Sequence, residues 1–70
     1  MAEESFDFNS SNIDNAVYDD ESRLLTVTFA RTGSVYEYPN VPADIWQQFK
    51  FAVSPGQFFS QVIKPGFPGS

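Results

Sequence analysis

Leu24-Leu25-Thr26-Val27-Thr28-Phe29 and Val35-Tyr36-Glu37-Tyr38, joined by Ala30-Arg31-Thr32-Gly33-Ser34, are the residues that decide the fold. The first run is rich in β-branched residues and places Leu25, Val27 and Phe29 on one face, as a half-buried strand requires. Gly33 is free to take positive φ, so a turn is expected there, and the second run returns as a strand that stops at Pro39. If Thr32-Gly33 is a two-residue loop, Phe29 lies opposite Tyr36 and Val27 opposite Tyr38. Residues directly opposite share a face, so both tyrosines are expected inside and Glu37 outside. A slip of one residue would bury Glu37 among apolar rings.

Working outward, Ile13, Asn15 and Val17 alternate with Asp14, Ala16 and Tyr18, which predicts a short strand before the hairpin. Asp19-Asp20-Glu21-Ser22 is a turn of residues that bond their own backbone. After Pro39 the pattern becomes helical. Pro42 suits the first helical position and Asp44 the first turn, while Ile45, Trp46, Phe49, Ala52 and Val53 form an apolar stripe that leaves Phe51 aside. Ser54-Pro55-Gly56-Gln57 carries the signals of a capping box, Phe58, Phe59, Val62 and Ile63 follow at helical spacing, and Pro65-Gly66 is expected to end the helix. The expected fold is α+β: a three-stranded antiparallel β-meander followed by two short α-helices packed on one face. Residues 1–10 read as a flexible acidic leader, with docking of Phe6 and Phe8 on the domain left open by the sequence, residues 11–67 as a single domain, and residues 68–70 as a tail.

The chain has 70 residues, enough for one core. Eight Phe, three Tyr and one Trp must supply most of that core's buried area. There is no Cys and no His, which excludes a disulfide framework, a thiolate zinc site, a Cys nucleophile and a His base. Lys50 and Lys64 lie on polar helix faces and are expected as solvated surface lysines rather than catalytic bases. Asp19-Asp20-Glu21 lacks the alternating ligands and the glycine of a calcium loop. Gly33 has no glycine-rich surroundings or following lysine to make a phosphate loop, and a hairpin turn accounts for it. No enzyme activity, cofactor or metal is expected. The acidic start is unlike a targeting leader, and the longest apolar run, Phe49 to Val53, is broken by Lys50, so no membrane span is expected and the cytoplasm is the default location.

The ordered set Ser10-Ser11-Asn12-Ile13, the turn and strand from Asp19 to Leu25, Val35-Tyr36-Glu37-Tyr38, Val41-Pro42 and Ser54-Pro55-Gly56-Gln57-Phe58-Phe59 resembles the KTSC domain. That small module occurs at the C-terminus of some lysyl-tRNA synthetases and also as a stand-alone bacterial or phage protein. The resemblance implies a non-catalytic module, for which RNA binding has been suggested from the synthetase context. Where relatives commonly carry Lys or Arg in the last helix, this chain has Gln57, Ser60, Gln61 and Lys64.

Three functional readings follow. The leading one is a protein-interaction or self-association module using an aromatic helical surface of Trp46, Lys50, Phe51, Gln57, Phe58 and Phe59. The alternative is weak RNA or single-stranded nucleic-acid binding by Arg31, Lys50 and Lys64 with stacking on Tyr36 and Tyr38. Nine acidic against four basic side chains, a net charge of -5, oppose that alternative. The third is a phage inhibitor that imitates nucleic acid with Asp14, Asp19, Asp20 and Glu21.

Overall fold

The computed structural model describes residues 3–8 and 10–67. Its sheet has four antiparallel strands in the order β1 (Glu3–Asp7), β2 (Ile13–Asp19), β3 (Leu24–Phe29) and β4 (Val35–Tyr38). Helix α1 (Ala43–Lys50) and a helical run over residues 55–66 follow and cover the apolar face. The class is α+β, with four strands where three were expected. The additional strand comes from the stretch read as a flexible leader: Glu3 pairs with Asp19 and Asp7 with Asn15. Its acidic residues are poor strand formers, but Glu4, Phe6 and Phe8 alternate onto the inner face. Phe8 is buried with its ring 4.6 Å from that of Phe49, and Phe6 lies against Phe8 at 4.9 Å. Aromatic burial on one side outweighs the weak backbone preference. The expected tail lies outside the described residues.

Strand β2 does not alternate regularly. A bulge between Ile13 and Asn15 leaves Asp14 as an extra residue, so Ile13, Ala16 and Tyr18 all face inward. The simple period had grouped Ile13 with Asn15 and Val17. The expected β3–β4 register is also displaced. Val27 pairs with Tyr36 and Leu25 with Tyr38, because the loop spans four residues, 30–33, and closes through the Gly33 N–H donating to the Phe29 carbonyl at 2.8 Å. Gly33 takes φ 72° as expected. A displacement of two residues keeps the same face, so both tyrosines still point inward and Glu37 outward. The β2–β3 loop is held by Asp19, whose Oδ1 accepts the N–H groups of Glu21 at 2.9 Å and Ser22 at 3.4 Å.

Pro42 is the N-cap of α1, one position before the expected place, and its carbonyl accepts the Ile45 and Trp46 N–H groups. Trp46 and Phe49 are buried, but the helix ends at Lys50, which leaves Val53 fully exposed off the expected stripe. Residues 55–66 comprise α2 (Pro55–Phe58), a π-helical turn (Phe59–Ile63) and a last short turn, α3 (Lys64–Gly66). The Ser54 side chain makes no capping hydrogen bond, so the expected box is not formed. The run ends at Gly66, as the Pro65-Gly66 pair predicts, with Pro65 inside the last turn. Pro65 has no N–H to donate and its ring crowds the carbonyl four residues back; the wider π turn relieves that conflict. The same turn puts Phe59 and Ile63 in the core. Phe58 is only half-buried, against Phe49 at 5.8 Å. Among the described residues, no helix is long and apolar enough to cross a membrane.

Sheet and helix are tied by Tyr18, whose hydroxyl donates to the Val41 carbonyl at 2.6 Å while its ring stacks on Trp46 at 5.5 Å. Tyr18→Phe keeps the stack but leaves a buried carbonyl without its donor. We expect a loss of about 1–3 kcal/mol in urea unfolding with unchanged Trp46 emission; an unchanged urea midpoint contradicts this role.

Candidate binding groove

Four of the five residues singled out for nucleic-acid contact, Arg31, Tyr36, Tyr38 and Lys64, line one open groove of about 410 Å³. The fold explains their meeting. The two-residue period brings Tyr36 and Tyr38 to the inner face of β4, the hairpin loop supplies Arg31 and Thr32, and the helical run supplies Ser60 and Lys64 from across the groove. The floor is aromatic: Phe59 meets Phe29 at 5.0 Å and Tyr38 at 5.4 Å, both edge to face. Tyr38 is core, at 7% exposure, whereas Tyr36 is 39% exposed and stands at the mouth, edge-on to Phe29 at 5.4 Å. The expectation that both tyrosines are core thus holds for Tyr38 alone, because the helices stop short of the outer half of β4. Burial, and secondarily the Tyr36 phenol, pushes the Tyr38 hydroxyl above its ordinary pKa. It is a neutral group there.

Sequence reasoning missed Phe29, Asn12, Gly56 and Ser60 as groove residues. Asn12 is anchored through its backbone, with its carbonyl accepting from Ala30 N–H at 2.9 Å and its N–H donating to Ser10 Oγ at 3.2 Å. Its side chain lies so close to the helix that a Cβ at position 56 would sit 2.8 Å from Asn12 Nδ2. A side chain at position 56 would have to displace the Asn12 amide, a close approach visible only once residues 12 and 56 are brought together. Arg31 and Lys64 are exposed, and among the described residues neither is in an ion pair.

The aromatic helical surface is not assembled as expected. Trp46 is 1% exposed and Phe59 is buried, because the core takes both rings; Phe58 is half-buried, and Gln57 is exposed. Phe51, at 76% exposure, and Val53 remain as an apolar pair on the loop after α1. Lys50 is neither a free surface lysine nor part of the groove. Its side chain is only 9% exposed, its ammonium donates to Glu4 Oε2, and it lies 5.5 Å from the ring centres of Trp46 and Phe51. The other Glu4 oxygen accepts the Trp46 indole N–H at 3.1 Å. A carboxylate on β1 and a lysine on α1 therefore clamp the first strand to the helix. The Glu-x-Phe-x-Phe alternation of residues 4–8 was the available signal for this strand.

The chain belongs to the KTSC domain family, whose model matches residues 9–67. The crystal structure of a KTSC domain protein from Yersinia pestis superposes with a TM-score of 0.88 at 38% identity, covering 99% of this chain and 96% of that one. An uncharacterised protein of Stutzerimonas stutzeri is 39% identical over 56 residues, 80% of this chain and 78% of the relative. A protein of Tsukamurella paurometabola is 34% identical over 58 residues, 83% of this chain and 85% of the relative.

The Glu4 clamp has a pH signature. The bonds from Lys50, and then from the Trp46 indole, hold the Glu4 carboxyl below its ordinary value of 4.5. A carboxyl with a lowered folded-state pKa stabilises the fold fully above its unfolded value, and that contribution fades as pH falls toward the folded value. Acid titration of stability should therefore be shallower below pH 4.5 in Glu4→Gln than in the parent chain. Parallel curves for the two proteins contradict the clamp.

Proposed function

We propose that the protein is a non-catalytic module that binds another protein, and that the groove beside β4 is its binding surface. One observation supports this above the others. In a chain of net charge -5, two cations without an ion pair among the described residues, Arg31 and Lys64, flank an aromatic floor open to solvent. Apolar concavity with a few convergent polar groups is the general form of a binding site, and an aromatic floor with cationic walls suits an apolar anchor beside a carboxylate. The volume lies near the small end of the usual range of roughly 300–1,000 Å³, so the groove suits one or two anchoring side chains.

A second reading, single-stranded RNA, draws on the same convergence of Arg31, Tyr36, Tyr38 and Lys64. It ranks below a protein partner on electrostatic grounds. Two groove cations neutralise about two phosphates, which gives a log–log salt slope of only about −1.4 for a single strand. The nine acids meanwhile repel the rest of the nucleic acid.

The two readings separate in one pair of measurements. A displayed random-peptide library is selected on the parent chain and counter-selected on Tyr36→Ala/Lys64→Glu, two exposed changes that leave the core intact. We expect enriched peptides that lose at least about tenfold affinity on the variant, in line with removal of a charge-assisted contact. Peptides that bind parent and variant equally overturn the groove. Failure to enrich any peptide, together with RNA anisotropy showing the shallow salt slope, transfers the groove to nucleic acid.

A further inference from the structure

The groove opens onto the edge of the sheet opposite β1. β4 is the last strand in the order, so among the described residues one of its sides has no strand partner. The Phe29 N–H donates to the Ser34 carbonyl at 2.9 Å, which makes 29 and 34 a hydrogen-bonded pair. Antiparallel alternation then turns the Tyr36 and Tyr38 backbone toward β3, and the N–H and C=O of Val35 and Glu37 away from the sheet. Val35 is exposed as well. An edge with outward backbone groups and an adjoining pocket is the arrangement used for strand addition, in which backbone bonds hold the peptide and alternate side chains enter the pocket.

The protein already contains a strand held in this way on the opposite side. β1 adds to β2 and sends Glu4, Phe6 and Phe8 to the inner face. Its carboxylate is taken by Trp46 and Lys50, and the Phe8 ring lies on Phe49. The β4 side presents matching but unused chemistry: Arg31 and Lys64 for a carboxylate, and Phe29, Tyr36 and Phe59 for a ring.

We propose that the β4 edge takes an extended segment of another protein in which a carboxylate and an aromatic side chain stand two residues apart. Two residues is the spacing that puts both groups on one face of a strand. The segment pairs with Val35 and Glu37, its carboxylate lies between Arg31 and Lys64, and its ring covers the floor beside Tyr36. This inference rests on the groove being the binding surface and adds the partner's conformation and pattern. A second copy is a poorer occupant, since its own Glu-x-Phe strand is already paired with β2.

The test uses the isotopically labelled full chain and two blocked hexapeptides of equal composition, Glu-Glu-Ser-Phe-Asp-Phe and Glu-Ser-Glu-Phe-Asp-Phe. The first puts an acid and both rings on one face; the second puts every acid on the face opposite the rings. We expect amide shifts at Val35, Tyr36 and Glu37, slowed exchange of the Val35 and Glu37 amides, and binding at least about tenfold tighter for the first peptide. Lys64→Glu should remove most of that difference. Equal binding of the two peptides overturns the spacing, and groove shifts without slowed edge amides overturn strand addition; both leave the groove itself standing. Absence of binding at roughly millimolar peptide overturns the pattern. Shifts confined to the Trp46 indole and Glu4 mean displacement of β1 and overturn it too. The groove fails separately, if library-selected peptides ignore the Tyr36→Ala/Lys64→Glu variant. Concentration-dependent growth in mass without peptide assigns the edge to a second copy and overturns the proposal.

Discussion

The burial of Trp46 is the constraint on which the rest of the structure depends. An indole removed from water needs an acceptor for its N–H. No residue of α1 supplies one; the acceptor is Glu4, 42 residues earlier in the chain. That requirement brings an acidic N-terminal stretch onto the sheet as a fourth strand, with Lys50 balancing the carboxylate. Tyr18 covers a face of the same indole and ties β2 to the start of α1 through Val41. Phe49, one turn on, receives Phe8. One side chain thus coordinates β1, β2 and α1.

The consequence reaches the functional surface. With β1 clamped in place, β2 is an interior strand and its open side disappears. The helices pack over Ile13, Ala16, Tyr18, Leu25 and Val27 but leave Tyr36 on β4 uncovered. Tyr36 stands there flanked by Arg31 and Lys64. The exposed residues Phe51 and Val53 lie outside this logic: they follow the end of α1, and scattered exposed apolar residues are ordinary.

Much of the central hairpin can be read directly from residues 24–38. The inner face of β4 survives an error in register because the true loop is longer by two residues, and a shift of two preserves sidedness. The helix starts at Pro42 and Pro55 are visible to within one position, since proline's fixed φ and missing donor act locally. The misses are nonlocal. Asp14 becomes a bulge so that Ile13 and Ala16 can both reach the core. The π turn answers a proline several residues later. Lys50 looks solvated until Glu4 arrives from 46 residues away. For the groove, sequence reasoning named Arg31, Tyr36, Tyr38 and Lys64 as stacking and charge candidates but had no means of placing them together. Asn12 and Gly56 carry no chemical signature at all; only their contact across the fold gives them a place.

The central claim is a sheet whose first strand, β1, is clamped to α1 by Glu4, Trp46 and Lys50, and whose far edge along β4 is open. Native-state hydrogen exchange of the dilute, ligand-free protein tests it most directly. The account predicts slow exchange for the Tyr36 and Tyr38 amides and for the Trp46 indole N–H, and fast exchange for the alternate residues Val35 and Glu37. Protection at Val35 and Glu37 equal to that of Tyr36, or a rapidly exchanging indole, would contradict it.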